Sequence, residues 1–261
     1  MSTSLYGLFR GEVFKTKREL GLYLMLFFPV AIFLFAIGHS LLFGSTDLSE
    51  YYSHNPWIVM YERYLWIFYV TLFPMAIAMF CYSLFDVEYK NDYLKKLFTL
   101  PVSSSAIFGA KVLYVVTISF VSALTTWLLM QVSAFVLEKV YFVYPFSEYD
   151  YSFHNFLLFV RLFFSILSIA SFLLLLSTSF KTYVVPIGIA VAGALFTFIT
   201  QGTGFVIYSP FYSIIASISK YFKGDADLVG KVEIINMCYI VVFMMLSYCR
   251  FVTLKSHEYK K

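Results

Sequence analysis

Glu88-Tyr89-Lys90-Asn91-Asp92-Tyr93-Leu94-Lys95-Lys96-Leu97-Phe98-Thr99-Leu100-Pro101-Val102-Ser103, followed by Lys111, is a polar hinge between two runs without Asp, Glu, Lys or Arg, residues 64–85 and 112–137. Four further uncharged runs, 20–46, 162–180, 182–219 and 234–249, fill much of the remaining chain. A backbone in hydrocarbon must satisfy its own amides, and about 20 apolar residues carry a helix across a core of about 30 Å. Each run can supply one such helix, the last by borrowing Val232 or its neighbours. With 61% hydrophobic and 13% charged residues among 261 and a mean hydropathy of +0.79, the chain reads as an all-α integral membrane protein with six transmembrane helices.

The fifth run is too long for one helix and too short for two. Its second part follows Gly202 and Gly204 and contains Pro210, which redirects a helix, so residues 210–222 read as a re-entrant or interfacial element. The expected plan is a single transmembrane domain over 1–261. An amino-terminal elbow helix at 1–19 leads to spans at 20–43, 64–85, 112–137, 162–180, 182–208 and 232–249. A cytoplasmic helix at 88–100 joins spans two and three.

Lysine and arginine set the orientation, because they are retained on the cytoplasmic side. Arg10, Lys15, Lys17, Arg18, Lys90, Lys95, Lys96, Lys111, Lys181, Arg250, Lys255, Lys260 and Lys261 share one side when both termini and the hinge face the cytoplasm. The opposite side keeps Arg63, Lys139, Arg161, Lys220, Lys223 and Lys231 and most of the acids. The net charge of +4 follows from this bias and does not point to nucleic acid. The first apolar run exceeds a signal-peptide core and lacks a small-residue cleavage site, so it reads as a retained span. Ahead of it, Leu5, Leu8, Phe9, Val13 and Phe14 alternate with Arg10, Glu12, Lys15 and Lys17 at helical spacing, the pattern of a helix in the headgroup plane.

Catalytic chemistry is hard to find. The uncharged runs offer no paired carboxylates for hydrolysis and no acidic proton relay. Gly224-Asp225-Ala226-Asp227-Leu228-Val229-Gly230-Lys231-Val232 has one residue too many between its glycines for a nucleotide loop, and Val where a magnesium-binding hydroxyl belongs. Cys81, Cys238 and Cys249 show neither metal-ligand nor disulfide spacing, and the four histidines are scattered. No catalytic, metal or cofactor-binding residue is therefore assigned. Ser119, Ser122 and Thr126 in the third span, Ser165, Ser168 and Ser171 in the fourth, and the intramembrane Gln131 and Gln201 have two readings: close helix packing or a polar translocation surface. The aromatic share, 21%, suits interfacial anchoring and also a surface for lipid tails or a hydrophobic peptide.

In the hinge, Asp92 and Lys96 stand at i, i+4 with the acid first, a spacing that supports a helix. Tyr89, Tyr93, Leu97 and Leu100 then share a side, Pro101 stops the helix, and Ser103 to Ser105 can cap the next. The acid after span two, the short basic helix, Leu100-Pro101-Val102-Ser103 and Lys111 at the opening of span three together resemble the ABC-2 type permease family, the membrane subunits of ATP-binding-cassette exporters. Glu12-Val13-Phe14-Lys15-Thr16-Lys17-Arg18 before an apolar run, with Pro29 inside it, is similar to the same family, and in particular to its lantibiotic and bacteriocin immunity and export branch.

The resemblance implies that 88–100 is a coupling helix. It would rest in a cleft of a separate ATPase through Glu88, Tyr89, Tyr93, Leu97 and Phe98, with Lys95 and Lys96 at the rim. ATP and magnesium would be bound by that partner and not by this chain, so the chain is a transport subunit rather than an enzyme. A second permease copy or a related permease would complete the pathway, in a prokaryotic cytoplasmic (inner) membrane. The implied cargo is an amphipathic substrate such as an antimicrobial peptide. Export of a lipid or glycan, and a scaffold or sensor that does not transport, are the other readings.

Overall fold

A computed structural model describes residues 5–47, 55–61, 66–90, 102–140, 146–225, 227 and 229–258. Among them are ten α-helices: α1 (Leu5–Thr16), α2 (Leu20–Asp47), α3 (Pro56–Met60), α4 (Trp66–Thr71), α5 (Phe73–Tyr89), α6 (Ser104–Val140), α7 (Ser152–Ser179), α8 (Val184–Ile199), α9 (Tyr212–Phe222) and α10 (Lys231–Glu258). Single 3-10 turns lie at Phe146–Glu148 and Val206–Tyr208. No strand occurs among the described residues.

Five stretches are long and apolar enough to cross a membrane: Leu20–Ser40, Phe68–Tyr89, Ser104–Lys139, Ser152–Ser179 and Lys231–Leu254. The second of these joins α4 to α5 across a turn at Leu72, next to Pro74. A sixth apolar helix, α8, has 16 residues, about 24 Å at the rise of an α-helix. The run expected to hold a span at 182–208 is thus used differently: the chain turns after Ile199, passes through Gly202 at a positive φ of 96°, and re-enters a helix only at Tyr212.

Packing separates a core from a periphery. Most of α5 and α7 is buried, whereas little of α10 is. α2 and α7 pack on α5, α6 packs on α2 and α7, α10 lies along α7, and α8 leans on α5. Phe73, Ile77, Phe80 and Phe85 of α5, with Ile166, Ile169, Leu173 and Leu174 of α7, fill the centre. Two glycines permit close approach. A Cβ at Gly21 would stand 2.5 Å from the Met79 carbonyl oxygen, so α2 meets the α5 backbone directly there, and a Cβ at Gly193 would stand 2.3 Å from the Phe211 ring, which lies on α8. Along α9, Ile214, Ile215, Ile218 and Tyr221 turn inward onto α7, α4 and α10.

Ser103 accepts from the Ala106 amide at 3.2 Å and so caps α6. Residues 91–101 of the hinge lie outside the described residues, and with them Tyr93, Lys95, Lys96, Leu97 and Phe98.

Candidate functional site: a buried charge cluster at the root of the hinge

Glu12 and Thr16 lie one turn apart on α1 and turn inward. An amphipathic helix at an interface would bury its apolar side alone; here the buried strip carries a carboxylate and a hydroxyl, while Phe14 is exposed. The reason is that α1 packs on α6, whose Lys111 is completely buried. Lys111 Nζ donates to Glu12 Oε2 at 3.1 Å, to Glu88 Oε1 at 2.7 Å and to the Leu84 carbonyl at 2.8 Å. It also lies 4.8 Å from the centroid of the Phe85 ring, a cation–π distance. Lys15 Nζ donates to Glu12 Oε1 at 2.7 Å and to Glu88 Oε1 at 2.6 Å. Next to this cluster the Thr16 and Tyr114 hydroxyls lie 2.8 Å apart, and the Phe9 ring meets Tyr114 edge-on.

Two carboxylates and two ammonium groups make the cluster neutral in sum. Isolated, any one of them would be expelled from such a site, because burial without a partner costs several kcal/mol. Burial pushes the Glu12 carboxyl up, but Lys111 and Lys15 outweigh it and hold the group below its ordinary value of 4.5. Burial likewise pulls Lys15 down, and Glu88 and Glu12 more than compensate, leaving it above 10.5. Among the described residues one acceptor is left over: Glu88 Oε2 is buried without a hydrogen-bond partner.

Glu88 belongs to the last turn of α5 and is 2% exposed, so it is the root of the hinge, and no separate helix begins at it. Tyr89 is turned inward as well, its hydroxyl donating to the Ser177 carbonyl at 2.8 Å near the end of α7. The four elements α1, α5, α6 and α7 are therefore fastened together at the point where the chain leaves for residues 91–101.

The candidate polar surface is distributed unevenly. Ser119, Ser122, Thr126, Ser165 and Ser168 are all buried inside the subunit. Ser122 donates to the Met25 carbonyl at 3.1 Å, Thr126 lies 2.5 Å from the Tyr69 hydroxyl, and Ser165 lies 3.0 Å from Ser217 on α9. The hydroxyls of Ser119 and Ser168 have no partner among the described residues. Gln131 is half-buried and lines an open cleft with Trp57, Glu138 and Phe146, and Gln201 is exposed in the turn after α8.

At the opposite end of the bundle is a second charged cluster. Arg161, 2% exposed on α7, donates to the Asp225 carbonyl at 2.9 Å and to the Asp227 carbonyl. Its Nε stands 3.9 Å from Glu233. Glu233 accepts from Lys220 at 2.8 and 2.9 Å and from the Gly230 amide at 2.9 Å. Neither cluster was identified from the uncharged runs. The available signal was that Lys111, Arg161 and Glu233 abut those runs, where a charge needs a partner.

Comparison with known sequences gives one family: that described as ABC-2 family transporter protein matches residues 8–197. The matched stretch contains all of Glu12, Lys15, Glu88 and Lys111, and of the second cluster only Arg161. No curated protein and no solved structure matches the chain significantly.

Proposed function

This chain belongs to the ABC-2 family of transporter proteins, and on that premise we propose that it is the permease subunit of an ABC exporter, driven by separate ABC ATPase subunits that carry ATP and magnesium. A second copy or a related permease completes the pathway in a prokaryotic cytoplasmic membrane. In this reading α8 is the fifth of six crossings, its short length met by local thinning of the bilayer and by its flanking residues. Both termini and the hinge face the cytoplasm.

The observation that carries the proposal is the fastening of the hinge root. The segment that follows α5, residues 91–100, acts as the coupling helix, with Tyr93, Leu97 and Phe98 in an ATPase cleft and Lys95 and Lys96 at its rim. Glu88 and Tyr89 serve differently from those five: they hold the helix to the bundle, Glu88 through Lys111 and Lys15 and Tyr89 through Ser177. A displacement of the hinge is then passed at once to α1, α6 and α7, because stretching a buried ion pair exposes charge to a medium that solvates it poorly. The passage lies between permease copies. Of the candidate polar residues, Gln131 and Gln201 reach the subunit surface, and the buried serines and Thr126 serve as packing contacts. The cargo is an amphipathic peptide of the antimicrobial type, approached from the bilayer.

The test is the double substitution Tyr93→Asp with Leu97→Asp. The expected result is loss of ATPase co-purification and of export while the permease still inserts and melts as the wild type. Retained ATPase binding with normal export overturns the coupling assignment.

A further inference from the structure

Beside the hinge root lies a cleft of about 600 Å3, within the range of small-molecule sites. Its floor is the Gly21–Met79 crossing of α2 and α5, and Tyr82 forms part of its wall, the hydroxyl tied at 2.9 Å to the Lys181 carbonyl. Leu20, Tyr183 and Val184 stand at its edge with well over a third of their surface exposed, which in a membrane is surface turned to hydrocarbon and headgroups. Ser83 and Thr182 add hydroxyls, and the remaining lining is charged. Asp86 and Lys90 form an ion pair, which with the nearby Glu19 holds Lys90 above its ordinary 10.5. Glu19 and Lys181 make no ion pair among the described residues, and each lines the cleft. The first turn of α8 adds partial positive charge, since its cap, Tyr183, makes no side-chain capping bond.

An apolar floor, a lateral opening at headgroup depth, one unpaired ammonium and one unpaired carboxylate together describe a particular ligand. We propose that this cleft binds a glycerophospholipid of the cytoplasmic leaflet with a zwitterionic, primary-amine headgroup. Lys181 and the start of α8 take the phosphate, Glu19 takes the amine, and an acyl chain follows the groove beside Leu20 and Val184. An anionic lipid such as phosphatidylglycerol would satisfy Lys181 through the same phosphate but, lacking an amine, would leave Glu19 without a cation from the ligand. A diacylglycerol would leave both charges unanswered. Because Asp86 and Lys90 end the helix that carries Glu88, a lipid seated here braces the root of the hinge.

The experiment uses the purified full chain in detergent and needs no ATPase, so its failure leaves the permease reading intact. Phosphatidylethanolamine, phosphatidylglycerol and diacylglycerol of identical acyl chains are added in turn, and retained lipid is counted by native mass spectrometry. Phosphatidylethanolamine is expected to be held about tenfold more tightly than the other two, the size of one well-placed charge contact. Glu19→Lys and Lys181→Glu each remove that preference. In the wild type, a photoactivatable phosphatidylethanolamine crosslinks to peptides containing residues 79–90 and 181–184, a readout independent of how the variants fold. Equal retention of the three lipids, insensitivity to both reversals, or crosslinks confined to other helices overturns the proposal. So does retention of an amphipathic cationic peptide in place of lipid with the same sensitivity to the two reversals.

Discussion

The two buried charge clusters look alike in composition and differ in what holds them. At the hinge root, Lys111 reaches two carboxylates from two other helices, 99 and 23 residues away in sequence, so charged side chains, with the Leu84 carbonyl as the one main-chain acceptor named there, join α1, α5 and α6. At the other end, Arg161 is bound by the carbonyls of Asp225 and Asp227, and Glu233 takes a main-chain amide from Gly230 besides Lys220. The first arrangement locks separate elements to each other. The second pins a connecting segment onto the end of α7, and main-chain groups supply much of its bonding. The first depends on charges drawn together from three helices, with Lys111 of α6 meeting Glu12 of α1 and Glu88 of α5. The family match extends over every residue of the first cluster and, of the second, over Arg161 alone.

The largest effect should come from Lys111→Met. It leaves Glu12 and Glu88 buried, with Lys15 as their one remaining cation, and breaking such a pair costs about 3–5 kcal/mol. Thermal unfolding in detergent should show a large fall in melting temperature, mostly recovered when Glu88→Gln is added, because the second change removes the carboxylate that Lys111 had matched. A small fall for the single variant would mean that water reaches the cluster and that it carries no mechanical load.

Arg161→Leu should cost less, about 1–3 kcal/mol, the price of leaving hydrogen-bonding groups buried and unpaired. Glu233 remains satisfied by Lys220 and Gly230, so no charge is stranded. Hydrogen exchange should rise around Asp225 and in α9 and remain unchanged in α1. If α1 also loosened, the two clusters would be one coupled unit and the distinction between them would fail.

The same contrast explains how far the sequence could be read. Uncharged runs pointed to these helices: the run at 20–46 begins with α2 at Leu20, that at 112–137 lies within α6, and that at 162–180 ends one residue past α7, at its C-cap Phe180. Three helices run past the ends of their uncharged runs because a charge lies inside the helix. α6 starts at Ser104, well before Lys111, α7 starts at Ser152, well before Arg161, and α5 continues past Asp86 and Glu88 to Tyr89. A rule that stops a span at the first charge assumes the charge meets water, and these charges meet partners supplied by other helices. Such partners come from folding in three dimensions and leave no local periodicity. The Ser103 cap was legible because its acceptor and donor are three residues apart. The inward turn of Tyr89 depends on Ser177, 88 residues away, and was not.

A smaller effect distinguishes the clusters by pH. Glu12 is held below its ordinary 4.5, so its contribution is complete above that value and is lost as pH falls through the lowered one. Lys15, raised above 10.5, contributes fully below that value, so in acid only the carboxylate limb is seen. The melting temperature should be level from neutrality down to about pH 5 and decline below the ordinary glutamate range. Glu12→Gln should begin lower at neutral pH and show a shallower acid decline. An acid limb of full depth in that variant would place the responsible proton elsewhere.

The smallest effect is expected from Asp225→Asn, although it removes a charge near Arg161. Arg161 bonds the main-chain oxygen of Asp225, and the side chain's contact is its Oδ1 accepting the Asp227 amide at 2.9 Å. An asparagine keeps that oxygen acceptor, and the group stands in solvent, where a charge is screened. The melting temperature should therefore match the wild type at pH 7, and the exchange of α9 should not change. A clear loss would mean that carboxylate charge, and not main-chain bonding, secures the connecting segment, making the two ends of the molecule variants of one device.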